Sequence, residues 1–187
     1  MASRAMRMTL MTFVAAIAGC AGDAELRSTL DDRGLTWITS DLIVTFARSA
    51  PRFSAAARDY AYLAPVERND MGTRRHFLWL GLGSTIDRPW NWGESSSPVT
   101  LVLVLDGEPV ALPLAPWEGS EDMSRHASTP VYQTQRARIS LDQLEHFANA
   151  ESIEIELIAE NGAAARYELW DGTSSDWHTF VAGVQAR

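Results

Sequence analysis

Residues 99–114 read VTLVLVLDGEPVALPL, two apolar runs on either side of Asp106-Gly107. An Asp-Gly pair between apolar runs is a strong short-range signal for a β-hairpin. The first run contains three valines, at 99, 102 and 104, and β-branched residues favour strands. The stretch therefore predicts a hairpin with strands at 99–105 and 110–114, and it places antiparallel pairing at the centre of the fold.

The same pattern of strand and turn recurs on both sides of this hairpin. Further strand-like runs occupy residues 36–47, 59–67, 75–82, 131–139, 153–159 and 165–170. Turn signals at 69–72 and at Asn161-Gly162 separate two pairs of these runs, which predicts two more hairpins. We therefore expect about eight strands.

Two segments have helical spacing instead. Ser140 followed by Gln143 fits a capping box that opens a helix over 141–150. The last large apolar residues also recur at helical spacing, at Trp177, Phe180, Val181 and Val184, and predict a helix that closes the core. The expected fold class is α+β, with a mainly antiparallel sheet and two helices. A β-sandwich with helical additions is the alternative.

The composition fits a single folded domain. The chain has 187 residues, of which 46% are hydrophobic and 21% charged. All 16 cations are arginine, and 24 acids give a formal charge of −8. This balance argues against a nucleic-acid partner, which would require a basic face. Cysteine occurs once, at Cys20, so neither an intrachain disulfide nor a cysteine-based metal cluster can form.

The first twenty residues have the character of a secretory signal. Arg4 and Arg7 precede an apolar run over residues 10–19, and the run ends in Ile17-Ala18-Gly19-Cys20. An aliphatic residue, two small residues and a cysteine resemble the lipobox of bacterial lipoproteins. The alternative is an ordinary cleaved secretory signal in which Cys20 is incidental.

The resemblance to bacterial lipoproteins implies a particular organisation of the chain. Residues 1–19 would be a signal peptide, the Cys20 thiol would receive a diacylglyceryl group, and its new amine would be acylated, for example with palmitate. Residues 20–34 are expected to form a short tether, and residues 35–187 a single domain. Ala21 stands where an aspartate would signal inner-membrane retention, so the resemblance implies an outer-membrane anchor facing the periplasm.

The hairpins also predict where binding residues gather. If both turns, at 69–72 and 106–107, lie at one end of the sheet, three longer connections lie at the other: 48–58, 83–98 and 115–130. Long loops on a rigid sheet are common binding sites. The candidate ligand-binding residues on these connections are Arg52, Trp90, Trp92, Glu94, Trp117, Glu118 and His126.

These loop residues allow three interpretations. Indole rings beside carboxylates suit a glycan such as peptidoglycan, because sugar C–H faces stack on aromatic rings. Tryptophan and arginine also dominate interfaces with partner proteins. In the third interpretation, Trp90 and Trp92 fold back over the core as a lid.

Catalytic signatures are weak. The four histidines lack zinc-binding spacing, and Gly81-Leu82-Gly83-Ser84 does not have the spacing of a nucleophile elbow. We therefore expect no metal, no cofactor and no catalytic residue. The expected function is a non-catalytic binding or assembly module, anchored to the envelope membrane, with an envelope protein or peptidoglycan as partner. The alternative is a small envelope hydrolase acting on glycan or peptide, with loop carboxylates and His126 as acid and base. A purely structural spacer is a third possibility.

Overall fold

Antiparallel strands make up most of the fold. The computed structural model describes residues 26–51, 53–86, 97–119 and 123–187. The strands in this part of the chain are β1 (Leu26–Leu30), β2 (Thr36–Ser40), β3 (Val44–Ser49), β4 (Arg58–Asp70), β5 (Thr73–Ser84), β6 (Pro98–Leu105), β7 (Glu108–Pro116), β8 (Val131–Ile139), β9 (Ile153–Ala159) and β10 (Ala164–Asp171). The helices are α1 (Leu141–Asn149) and α2 (His178–Gln185), and 3₁₀ turns occupy Met123–His126 and Ser174–Trp177.

Eight of these strands form a closed barrel. Their order is β4-β3-β10-β9-β6-β7-β8-β5. The ring closes because β5, the last strand in this order, pairs with β4, the first, from Asp59↔Ser84 to Asp70↔Thr73. Every neighbouring pair is antiparallel. The expected mainly antiparallel sheet with two helices is therefore confirmed. The β-sandwich alternative is wrong, because one sheet closes on itself instead of two sheets stacking face to face.

The first two strands lie outside this ring. Strand β2 pairs with residues 66–69 of β4, beyond the stretch that pairs with β3, and β1 pairs with the outer edge of β2. The predicted strand at 36–47 is thus two strands interrupted at 41–43. Residues Leu26–Leu30, which the sequence places in a tether, form strand β1.

The barrel interior is the main hydrophobic core. Alternate residues of the ring strands point inward, including Leu63, Leu80 and Leu103, and each is fully buried. The two helices pack against the same core, where the Phe147 and Trp177 rings stack with centroids 3.9 Å apart. Both predicted helices are confirmed. Neither helix in the described part of the chain is long and apolar enough to cross a membrane.

The two ends of the barrel differ. The turns Met71-Gly72 and Asp106-Gly107 lie at the end that α1 and α2 cover, which we call the helical end. The opposite end, which we call the loop end, is where four strand ends meet: Ser49, Arg58, Ser84 and Val131. The registers therefore confirm that the strands joined by the three long connections end together, away from the tight turns.

Candidate functional site

Several candidate residues from the sequence lie outside the described residues. They are Cys20, Arg52, Trp90, Trp92 and Glu94. The site is therefore built from the rest of the chain, including the three remaining candidates on the connection between β7 and β8.

This connection covers part of the barrel's outer surface. We call residues 117–119 and 123–130 the covering segment. They pack on a second apolar cluster formed by the outward side chains of β4 and β5, which include Tyr62 and Trp79. Met123 is 1% exposed within this cluster, and the Tyr62 hydroxyl lies 2.8 Å from Thr129 Oγ1. The segment therefore gives β4 and β5 a second buried face.

The three candidate residues of the covering segment have separate partners. Trp117 packs against Trp37, with ring centroids 5.4 Å apart. Glu118 Oε2 lies 3.0 Å from Arg136 Nη2, and His126 Nε2 lies 3.4 Å from Asp41 Oδ1. No hydrogen bond or ion pair among the described residues joins Glu118 to His126.

Beside the covering segment, toward the helical end, the outer face is open and strongly basic. Four outward arginines surround Phe77 on β4, β5 and β8, and we call them the arginine surface: Arg68, Arg75, Arg136 and Arg138. One groove of about 450 Å³ contacts all four. A second groove of about 520 Å³ shares Arg75 and Arg138 with it. The two grooves therefore form one continuous basic depression.

The arginines of this surface differ in how well they are neutralised. Arg136 pairs with Glu118 and lies over the Phe77 ring, 5.2 Å from its centroid. Arg75 and Arg138 are exposed, and neither has an ion pair or hydrogen bond with any side chain that the structure describes. Two guanidinium groups, which are ionised at any working pH, are therefore available to a ligand.

Arg68 is held between aromatic rings. Its guanidinium carbon lies 5.9 Å from the Trp37 ring centroid and 5.6 Å from that of Phe77. Its Nε is buried and has no hydrogen-bond acceptor among the described residues. Arg68 also lies directly opposite Arg75 in the β4–β5 register, where like charges are unfavourable. An acidic ligand would relieve that repulsion.

A split between two strands forms the depression. Strands β7 and β8 pair only through three positions, Leu114↔Ala137 to Pro116↔Gln135. Toward the helical end they separate, and Pro113 and Arg138 both line the grooves there. Proline has no N–H to donate, so Pro109 and Pro113 make the free edge of β7 a poor template for another strand. Side-chain chemistry, more than strand addition, therefore governs binding here.

A second polar cluster lies inside the barrel at the helical end. Glu67 is 1% exposed, and its Oε2 lies 2.7 Å from Arg74 Nη2 and 3.1 Å from His76 Nε2. Arg74 also donates to the carbonyl oxygen of Val184 in α2. The cluster thus neutralises a buried carboxylate and ties the last helix to the barrel.

This arrangement lacks an activated nucleophile. Ser140 lines the same groove as His76, but its hydroxyl accepts the backbone N–H of Gln143 as the cap of α1, 3.1 Å away. No hydrogen bond joins it to His76 among the described residues. Nor do any three histidine, cysteine or acidic side chains in that part of the chain lie close enough to hold a metal ion.

Sequence reasoning overlooked the arginine surface, although two signals indicate it. A two-residue turn at Met71-Gly72 sets Arg68 opposite Arg75, and alternation along β8 puts Arg136 and Arg138 on the same face. The position of β8 next to β5 joins these pairs. Comparisons of the chain with family models, with curated proteins and with solved structures found no match.

Proposed function

We propose that this chain is a lipid-anchored, non-catalytic binding module of the cell envelope, and that its arginine surface binds acidic groups of an envelope partner. Guanidinium groups match carboxylates and phosphates because they can donate two parallel hydrogen bonds to each. Pro113 is exposed and adds an apolar contact between the charges, whereas Phe77 is 4% exposed and lies beneath the guanidinium groups of Arg68 and Arg136. The two features together favour a partner that carries acidic groups beside apolar ones.

The single observation that carries the proposal is the pair of exposed arginines, Arg75 and Arg138, without an acidic neighbour in the described part of the chain. The protein has 24 acids for 16 cations, so acidic side chains are abundant enough to pair with every arginine. Four arginines nevertheless cluster around one ring with only Glu118 among them. A partner that supplies acids would remove the repulsion within the cluster.

The proposed location rests on the leader of the chain. Ile17-Ala18-Gly19-Cys20 has the lipobox pattern, and Ala21 favours the periplasmic face of the outer membrane. Strand β1 begins at Leu26, so five residues lie between it and Cys20, and the chain from Cys20 to Leu26 spans at most about 22 Å. The barrel would therefore stay close to the membrane surface, where its partners would be other envelope components.

The loop residues Arg52, Trp90, Trp92 and Glu94 stay a prediction for glycan or protein binding. The hydrolase alternative gains no support from Glu118 and His126. Glu118 pairs with Arg136, and His126 Nε2 accepts the Nε–H of Arg125 while lying 3.4 Å from Asp41 Oδ1.

Binding is tested with a fluorescein-labelled octaglutamate peptide and inorganic polyphosphate, followed by fluorescence anisotropy. The variant Arg75→Gln/Arg138→Gln is expected to weaken binding at least about tenfold, since each charge-assisted contact contributes on the order of 1 kcal/mol. The control Arg166→Gln/Arg187→Gln makes the same change in net charge elsewhere and should bind nearly normally. Equal losses in both variants would show that only net charge matters and would overturn the assignment.

The anchor is tested separately by metabolic labelling with a radioactive fatty acid. Wild type should incorporate the label and fractionate with the outer membrane, whereas Cys20→Ala should do neither. Labelling that persists in Cys20→Ala would contradict the lipobox assignment without affecting the arginine surface.

A further inference from the structure

The side of the barrel opposite the arginine surface is acidic. In the ring order, β9 lies four strands from β5 in both directions, so these two strands occupy opposite walls. The side chains of β9 alternate, and its inward residues belong to the core. Glu154 and Glu156 therefore point outward, beside Glu168 of β10. We call these three glutamates, with Arg166, the acidic face.

Each of the two faces contains an unfavourable pair of like charges. Glu154 lies directly opposite Glu168 in the β9–β10 register, as Arg68 lies opposite Arg75 in the β4–β5 register. Directly opposed like charges destabilise a sheet. Arg166 offsets part of the acidic repulsion, because its Nη1 lies 3.6 Å from Glu154 Oε2. Glu168 also lines a groove with Arg48, Arg58 and Arg166, so the excess of carboxylates over cations lies on β9, at Glu154 and Glu156.

The acidic face also has apolar neighbours. Val104 lies opposite Glu154 and Val102 opposite Glu156 in the β6–β9 register, and both valines are half-buried. The arginine surface has a comparable apolar component in Phe77 and Pro113. Acidic groups beside apolar side chains are what the arginine surface is suited to bind, so the two faces of the molecule are complementary in both respects.

We infer that the arginine surface of one copy binds the acidic face of a second copy of this chain. The inference rests on the proposed function, since it names the acidic partner. Because the two faces lie on opposite walls, the contact is head-to-tail, and each added copy leaves one face of each kind free. Copies anchored in the same membrane would therefore associate in rows.

The expected interface is small and salt-sensitive. Strands lie about 4.8 Å apart, so a face of three or four strands is about 15–20 Å wide. A face of that width buries less surface area than most stable interfaces do. The contact is therefore weak in solution, and anchoring in one membrane strengthens it by raising the local concentration. The net charge of −8 opposes association, but its repulsion is screened beyond about 8 Å at physiological salt.

The test uses sedimentation velocity of the purified full chain over a range of concentrations at physiological salt, where the net repulsion is screened. The sedimentation coefficient of the wild type should rise with concentration and reach about 1.5 times the monomer value as dimers form. High salt should return it to the monomer value.

Charge reversal supplies the decisive controls. Arg75→Glu/Arg138→Glu keeps only the acidic face, and Glu154→Arg/Glu168→Arg keeps only the arginine surface. Each variant alone should stay monomeric while retaining the thermal unfolding of the wild type. Their equimolar mixture should associate again, because both faces of one variant are then opposite in charge to both faces of the other. A mixture that stays monomeric would contradict the two-face arrangement.

The outcomes separate this inference from the proposed function. A wild-type chain that stays monomeric throughout, while octaglutamate still binds through Arg75 and Arg138, would overturn self-association and leave the proposed function standing. Absence of both octaglutamate binding and self-association would overturn both. Assembly that survives both charge-reversal variants would place the contact elsewhere and would also overturn the inference.

Discussion

The outer surface of β4 and β5 has two halves, of which one is covered by another segment of the chain and the other is open. Toward the loop end, Tyr62 and Trp79 on β4 and β5 lie beneath the covering segment and are at most 1% exposed. Toward the helical end, the same two strands carry Arg68 and Arg75, and the grooves above them are open. The strands, the pleat and the register are continuous between the halves, so only the side chains differ.

The difference shows which surface the chain buries by itself and which surface it leaves exposed. Covering apolar surface stabilises the protein by about 25 cal/mol for each Å² removed from water. Covering unpaired guanidinium groups would instead cost free energy, because a buried charge requires an acidic partner. The open half is therefore suited to a partner that brings those acids.

The largest expected effect comes from breaking the covered half. Trp79→Ala removes a 1%-exposed indole from the second cluster, and we expect a loss of about 3–5 kcal/mol in the free energy of unfolding. Urea unfolding measures this loss. Trp170→Ala removes an indole that is 55% exposed and should cost less than about 1 kcal/mol. Similar losses in the two variants would contradict a buried second cluster.

A smaller effect is expected from pushing the covering segment away without removing apolar surface. A Cβ at Gly83 would lie 2.5 Å from Thr129 Oγ1 and 2.9 Å from the Pro130 carbonyl oxygen. Gly83→Ala should therefore displace the segment and cost about 1–3 kcal/mol. Hydrogen exchange should increase at residues 127–129 while the amides of β9 stay protected. Unchanged stability and exchange would show that the segment does not pack on this strand.

The sequence predicts much of the framework behind this comparison. Strands Val131–Ile139 and Ile153–Ala159 have the predicted bounds, and the capping box at Ser140 and Gln143 forms as expected. These features depend on neighbours in sequence. Closure of the barrel could not be predicted in this way, because it requires β3 to pair with β10, strands more than a hundred residues apart.

The candidate site was harder to predict for the same reason. Trp117 stands in a polar stretch, which indicates a binding residue, whereas in the structure it packs on Trp37, eighty residues earlier in the chain. The pairing of Arg68 with Arg75 follows from one local turn. Their contact with Arg136 and Arg138 depends on the long-range pairing of β5 with β8.

A more moderate effect is expected from a substitution at the boundary between the two halves. Glu118 is the acid that pairs with Arg136, and this pair is largely exposed on the glutamate side. Glu118→Gln should leave the free energy of unfolding within about 0.5 kcal/mol and should tighten octaglutamate binding about two- to fivefold by freeing Arg136. Glu151→Gln, a change of equal charge elsewhere, is the control. Weaker binding by Glu118→Gln would contradict the role assigned to Arg136.

The smallest expected effect is on how the free energy of unfolding depends on pH. Asp31 Oδ1 accepts the backbone N–H groups of Leu35 and Arg33, and Oδ2 accepts the indole N–H of Trp37. The hydrogen bond from Leu35 is the main cause that holds the pKa of the Asp31 carboxyl below its ordinary value, although burial acts in the opposite direction. The folded-state pKa is thus lower than the unfolded-state pKa.

This stabilisation is complete above the unfolded pKa and is lost as the pH falls through the folded pKa. The stability difference between wild type and Asp31→Asn should therefore be constant above about pH 5 and shrink in acid. Urea unfolding at neutral and acidic pH measures it. A stability difference that is independent of pH would contradict an ionised Asp31 carboxylate that accepts the indole N–H of Trp37.

The most direct test of the central claim is NMR titration of the arginine side-chain Nε–Hε signals with octaglutamate. Every cation of the chain is an arginine, so these signals report on all candidate contacts at once. The account predicts saturable shifts at Arg68, Arg75, Arg136 and Arg138, with Arg166 unmoved. Shifts spread evenly over all arginines, or confined to the connections at the loop end, would contradict it.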